Sequence, residues 1–264
     1  MEILGYIGAV FIGLTLGLIG GGGSILTVPV LVYLFGLDPI ISTAYSLFIV
    51  GLTALAGSLS YMKQKLVDYK AAIVFAIPAF IAVFITRKFI LPWIPDQIFS
   101  VGEFVVSKSF FVMTLFAVLM LASSISMIRK HKASELEGMQ SFNYPLITLE
   151  GFIVGVLTGL VGAGGGFLII PALVIFAKLP MKVAVGTSLL IIAAKSLIGF
   201  LGDLSNFEID WFFLSSISVI TIAGIILGSY LTKFISGAKL KPAFGWFVLA
   251  MGFYILLKEF SKSL

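Results

Sequence analysis

Gly17-Leu18-Ile19-Gly20-Gly21-Gly22-Gly23-Ser24, followed by Ile25-Leu26-Thr27-Val28-Pro29, has a second copy in the same chain. That copy is Gly159-Leu160-Val161-Gly162-Ala163-Gly164-Gly165-Gly166, followed by Phe167-Leu168-Ile169-Ile170-Pro171. Both runs lie between strongly apolar segments. A hydrophobic helix interior has no ordinary use for contiguous glycines, each of which costs about 1 kcal/mol relative to alanine. Each run therefore reads as a break in a helix, where backbone is exposed to something.

The prolines give the break a geometry. Proline lacks an N–H and fits the first turn of a helix, where that N–H would be unpaired. New helices are expected from near Ile25 and near Phe167, with free N–H groups and the positive end of the dipole facing back toward the glycines. Within a membrane this makes an anion site. Close packing is the competing explanation, because Gly13, Gly17 and Gly21 are four apart, a small-xxx-small spacing. Packing accounts for the spaced glycines but not for the contiguous ones.

Working outward, composition sets the class. The chain is 60% hydrophobic and 11% charged, where soluble proteins carry about 25% charged residues. That leaves too little polar surface to coat a water-soluble body. Stretches such as Ala71–Ile85, Ser109–Ser126, Trp211–Leu231 and Ala243–Leu257 are, with their flanks, long enough to cross a bilayer core of about 30 Å. With no alternating strand pattern, an all-α polytopic bundle is the fold class. Glu2 onward reads as a retained span, without the basic region and cleavage site of a signal peptide.

The expected helices are 3–19, 24–36, 40–62, 69–90, 108–128, 145–161, 167–177, 181–203, 210–233 and 241–258. Segments 24–36 and 167–177 are too short to cross upright and read as half-helices. The offset that relates Gly17 to Gly159 also relates Gly13 to Gly155, Pro29 to Pro171, Ser46-Leu47 to Ser188-Leu189, Gly57 to Gly199 and Asp68 to Asp210. Two repeats of about five helical elements follow: 1–128 and 145–264, joined by a polar cytoplasmic linker, 129–144.

Charge orients the repeats. The loop Lys63–Lys70 is basic, and its counterpart Asp203–Asp210 is acidic. Under the positive-inside rule the two loops lie on opposite faces, so the repeats are inverted, with their broken helices meeting near the membrane midplane. Lys63, Lys65, Lys70, Arg129, Lys130, Lys132, Lys178, Lys182, Lys233, Lys239 and Lys241 mark the cytoplasmic face. Arg87, Lys88, Lys108, Lys258 and Lys262, with Asp38, Asp96, Glu103, Asp203, Glu208, Asp210 and Glu259, mark the outer face. Both termini are expected outside the inner membrane. Arg87 and Lys88 read as helix-end residues whose side chains reach the interface, and Trp93 and Trp211 as interfacial anchors.

Once helix-end charges are set aside, Lys195 remains, in the middle of Ser188–Gly199. A lysine at that depth costs about 2.5–3.5 kcal/mol to insert and marks function by default. Facing a half-helix N-terminus, it adds a full positive charge to an anion pocket. Hydroxyl residues recur around it: Tyr45 and Ser46 in the first half, Thr187 and Ser188 in the second, with Thr53 in register with Lys195. The serine and threonine hydroxyls among these could equally bond their own preceding turn or join helices. The candidate substrate-binding residues are Gly20, Gly21, Gly22, Gly23, Ser24, Tyr45, Ser46, Gly162, Gly164, Gly165, Gly166, Thr187, Ser188 and Lys195.

The chain has no cysteine, and its one histidine, His131, lies in a basic loop. Disulfide, thiol and cysteine-metal chemistry are excluded. No HExxH, GxGxxG or GK[ST] pattern completes, so no enzyme, no cofactor and no metal site is expected. Glu150 is a weak candidate for proton coupling. The expected partners are a small anionic substrate, the lipid bilayer, a coupling ion (proton or sodium) and a second copy in a homo-oligomer, with no nucleic acid.

The doubled glycine run, its apolar stretch and proline, and Gly186-Thr187-Ser188-Leu189 resemble the sulfite exporter TauE/SafE family of membrane permeases. The first half departs from that pattern with Ala44-Tyr45-Ser46-Leu47. The resemblance covers nearly the whole chain and implies a carrier of sulfite, sulfonates or other small organic and sulfur-containing anions. An anion channel and a non-transporting membrane assembly subunit are the alternatives.

Overall fold

A computed structural model describes residues 2–101, 104–128, 144–232 and 237–263. Glu103, Arg129, Lys130, His131, Lys132 and Lys233, and all but the last residue of the expected 129–144 linker, lie outside the described residues. The described helices are α1 (Glu2–Ile19), α2 (Thr27–Pro29), α3 (Pro39–Lys63), α4 (Tyr69–Ile85), α5 (Leu91–Trp93), α6 (Lys108–Ile128), α7 (Tyr144–Val161), α8 (Gly166–Ile175), α9 (Met181–Asp203), α10 (Trp211–Leu231) and α11 (Gly237–Ser263). Eight helical segments among the described residues are long and apolar enough to cross a membrane. This is an all-α polytopic membrane architecture.

One short sheet was not foreseen. Strands β1 (Gln97–Val101) and β2 (Phe104–Ser107) pair antiparallel, with Phe99 opposite Val106 and Ser100 opposite Val105. Pro92 and Pro95 border the end of the preceding helix, and the aromatic and β-branched residues beyond them favour extended backbone. The hairpin lies outside the apolar segments, where a strand edge meets no lipid.

Ile3–Leu34 is not a straight span. At Gly20 the backbone takes φ +76°, a left-handed value that glycine adopts without strain. The chain then returns as 3₁₀ helix over Gly20–Leu26, α2, and π helix over Val30–Leu34. The return is antiparallel to α1. A Cβ on Gly5 would lie 2.5 Å from the Phe35 ring, and one on Gly8 would lie 3.0 Å from Val30. The Tyr6 and Phe35 rings meet edge to face at 5.5 Å. The first glycine run therefore closes a hairpin and brings the chain back to the end where it began.

The element contacts recur in exchanged form. Helix α1 packs on α10, and α7 on α4; α10 packs on α3, and α4 on α9; α3 packs on α9, and α6 on α11. The offset read from the sequence maps α1 onto α7, α3 onto α9 and α4 onto α10, and element order adds α6 onto α11, so the first four pairs exchange two by two and the pairs α3–α9 and α6–α11 map onto themselves. Glycines set the closest of these approaches. Gly17 on α1 places its backbone against α10, where a Cβ would lie 2.6 Å from the Ile225 carbonyl oxygen. Gly155 on α7 does the same against α4, 2.6 Å from the Ala79 carbonyl oxygen. Small residues allow this backbone proximity where lipid supplies no hydrophobic drive for helix association.

The return to the starting end also orders the charges. Asp38, just past the first hairpin, lines one cavity together with Arg87, Asp96, Lys108, Asp203 and Asn206. Trp93 beside it is 90% exposed, as an interfacial anchor requires.

Candidate functional site

The two glycine runs meet inside the bundle. Gly21 and Gly166 pack backbone on backbone, and a Cβ on Gly21 would lie 2.5 Å from the Gly166 Cα. Residues Gly20–Leu26 and Val161–Phe167 are all buried. The second run turns at Gly162 (φ +70°), the offset equivalent of Gly20, and again at Gly165 (φ +69°), which caps α8.

The runs differ in what they leave open. The first is itself helical from Gly20, so the expected new start near Ile25 is replaced by a 3₁₀ stretch that begins five residues earlier. One positive-φ glycine makes the turn there, and the glycines after it continue in helical backbone. The second run is irregular over 162–165, and α8 begins at Gly166, one residue from the expected Phe167. Gly162 N–H bonds back to the Thr158 carbonyl at 2.9 Å. The N–H groups of Ala163, Gly164, Gly165, Gly166 and Phe167 have no hydrogen-bond partner among the described residues. Pro171 sits inside α8, past its first turn, and Pro29 is followed by the π stretch. Neither proline marks a first turn as expected. The π stretch is an irregular turn of the kind that accommodates a helix-interior proline.

Lys195 lies beside the open run. Its side chain is fully buried, and Nζ donates to Thr158 Oγ1 at 2.7 Å. A Cβ on Gly165 would lie 3.0 Å from that Nζ. Among the described residues no carboxylate pairs with Lys195; the ion pairs are Arg87–Asp203, Lys108–Asp96 and Lys262–Glu259. An ammonium has three donors, and one is used. A buried lysine without a counter-charge among the described residues, next to Gly165 in a run of partnerless buried N–H groups, is an arrangement that an anion completes.

The other candidates divide. Gly164 packs on Val50 and Ser24, and Gly23 on Thr15 and Leu16. Gly22 has only ordinary contacts, with Ile19 at 3.4 Å and Met127 at 3.5 Å. Ser24 Oγ donates to the Gly21 carbonyl at 2.8 Å, and Ser188 Oγ to the Val185 carbonyl at 2.8 Å. Ser46 Oγ is buried with no partner among the described residues. Tyr45 OH accepts the Asp210 N–H at 2.8 Å, and Thr187 Oγ1 accepts the Asp68 N–H at 2.9 Å. Those bonds are equivalent under the offset. They tie α3 and α9 to the N-caps of α10 and α4, where Asp210 and Asp68 accept N–H groups from Phe213 and Ala71. Thr53 bonds Thr221 at 2.6 Å and plays no part at Lys195.

Thr158 was missed, because a threonine in an apolar helix has no distinguishing signal. Arg87 and Asp203 were read as helix-end charges, and both are fully buried. Arg87 Nε lies 3.0 Å from Asp203 Oδ2, and its two terminal nitrogens each donate to Thr43 Oγ1 at 3.0 Å. Thr43 in turn packs against Gly162.

The bundle of apolar spans with two glycine-broken elements enclosing a buried polar site is that of an integral membrane transporter. The family model described as "Sulfite exporter TauE/SafE" matches residues 6–255, and the chain belongs to that family. It is 28% identical over 257 residues to a probable membrane transporter protein of Xylella fastidiosa, covering 95% of this chain and 93% of that one. It is 29% identical over 216 residues to the probable membrane transporter protein YunE of Bacillus subtilis, covering 74% and 76%. No solved structure matches the chain.

Proposed function

We propose that the protein is a secondary transporter of small anions, of the sulfite, sulfonate or other sulfur-containing and organic class. It acts by alternating access and is not an enzyme. The observation that carries the reading is Lys195: a fully buried side chain with one hydroxyl acceptor and no carboxylate among the described residues, beside Gly165 in the run 163–167, whose N–H groups have no partner among those residues either. A sulfite, sulfonate or similar oxyanion offers several acceptor oxygens to such a set of donors. The chain sits in the inner membrane with both termini outside, and its halves are inverted repeats. Support for the inversion comes from the exchanged helix contacts and from the first hairpin. Because that hairpin returns to its starting side, three crossing elements (α3, α4 and α6) remain in the half, and an odd number reverses the next half.

Lys195→Met tests the site. It keeps similar bulk and removes the charge. Uptake of sulfite or methanesulfonate into proteoliposomes should fall sharply, and so should the rise in melting temperature that these anions produce. Lys195→Arg should keep part of both, since the charge survives with altered geometry. A methionine variant that transports and is stabilised like the parent refutes the charge role.

A further inference from the structure

The cavity of about 720 Å³ lined by Asp38, Arg87, Asp96, Lys108, Asp203 and Asn206 opens at the end of the molecule where the first hairpin begins. Arg87 and Asp203 line it while their side chains are fully buried. Behind them Arg87 holds Thr43, and Thr43 packs on Gly162, the turn of the second glycine run. Lys195 stands eight residues before Asp203 on α9, about 12 Å along its axis. The ion pair thus lies between the cavity and the Lys195 site.

Its geometry is unusual. The pair is close, at 3.0 Å, yet among the described residues neither carboxylate oxygen of Asp203 accepts an aligned hydrogen bond, and Arg87 Nε donates none. The other two guanidinium nitrogens share one hydroxyl oxygen. A planar guanidinium favours acceptors that offer two oxygens side by side, such as sulfonate, sulfate or carboxylate. The close contact with Asp203 runs from Nε to a single oxygen, Oδ2.

We infer that Arg87 is an entry station for the transported oxyanion, which displaces Asp203, and that the released Asp203 carboxylate takes up a proton from the cavity. The inference rests on the anion-transport reading above and adds the residue that couples anion to proton. When the anion engages Arg87, Asp203 loses its only charge partner among the described residues, in a buried wall where an unpaired carboxylate is costly. Protonation relieves that cost, so one proton accompanies each anion. The other charged groups facing the cavity do not supply it. Asp38 accepts the N–H groups of Ile40 and Ile41 at the start of α3, and Asp96 is solvent-exposed beside Lys108. Lys88, on the turn that carries Arg87, lies over the Phe84 and Phe89 rings.

The sign follows from linkage. Anion binding takes up a proton, so affinity should strengthen as pH falls, by up to about tenfold per unit. Sulfate and methanesulfonate, ionised throughout the neutral range, are the probes, and the melting-temperature shift of the purified full chain is the readout. Asp203→Asn keeps the shape and removes the competitor, so it should bind both probes more tightly and lose the pH slope. Asp96→Asn should keep the parent's slope. Should Asp203→Asn fail to fold, proton uptake on adding methanesulfonate to the parent and to Lys195→Arg, whose guanidinium is already charged and takes up no proton, read with a pH dye in weak buffer, decides the same point. About one proton per bound anion in both supports the inference, and none in either overturns it. Binding to the parent without a pH slope, or weaker binding in Asp203→Asn, overturns the inference and leaves the transport reading standing. Binding of neither probe to the parent overturns both.

Discussion

Adding one methyl group separates the jobs of neighbouring glycines. Gly164 packs so closely that a Cβ would lie 2.5 Å from Val50 Cγ1 and 2.9 Å from Ser24 Cβ. Gly164→Ala should therefore destabilise the fold by about 1–3 kcal/mol, the usual cost of overpacking. Gly22→Ala meets nothing nearer than 3.4 Å and should melt in detergent within about a degree of the parent, because its Cβ makes only ordinary contact. Equal losses in the two variants would show that the runs are valued for flexibility and not for space. Sequence reading treated these glycines alike, since spacing along a chain does not reveal which neighbour comes from the other half. It found Lys195 easily, because a charge amid apolar residues has few innocent explanations. It passed over Arg87 and Asp203 because each stands near a helix end, and burial there depends on what packs alongside.

At the scale of elements, the bonds from Asp210 N–H to Tyr45 OH and from Asp68 N–H to Thr187 Oγ1 fix the starts of α10 and α4 against α3 and α9. Both acceptors looked like pocket hydroxyls from their place in the repeat. Their partners are backbone groups at helix starts, and only the folded chain brings those within reach. Tyr45→Phe and Thr187→Val leave an N–H without its acceptor, and each should lower stability by about 1 kcal/mol. Thermal melting measures that cost, and proteoliposome uptake should persist in both. Abolished uptake in a well-folded Thr187→Val protein would instead assign the hydroxyl to the substrate. Helix positions were legible because long apolar runs bounded by Asp, Pro and Gly have one reading in a membrane protein. The β1–β2 hairpin was not, since nine strand residues beside two prolines carry too little periodicity to distinguish them from a loop.

For the whole molecule, the fold turns on how the halves face the membrane, and the sequence carries that information in its loops. Gln64 follows α3 in the basic loop, and Asn206 follows α9 in the acidic one; both helices occupy equivalent places in the exchanged contacts. In an inverted arrangement these loops lie on opposite sides, and in a parallel one they share a side. The chain has no cysteine, so Gln64→Cys and Asn206→Cys each introduce a single reporter without a background to remove. Gln64 is exposed, and Asn206 lines the cavity next to Arg87 and Asp203. In intact cells an impermeant thiol reagent should label Asn206→Cys, and should label Gln64→Cys only after the membrane is opened. The expected direction follows from the lysines at 63, 65 and 70, which the positive-inside rule retains in the cytoplasm. The reverse pattern keeps the inversion and flips the whole protein. Labelling of both sites from outside would mean parallel halves, and the exchanged contacts would then need an explanation other than an axis in the membrane plane.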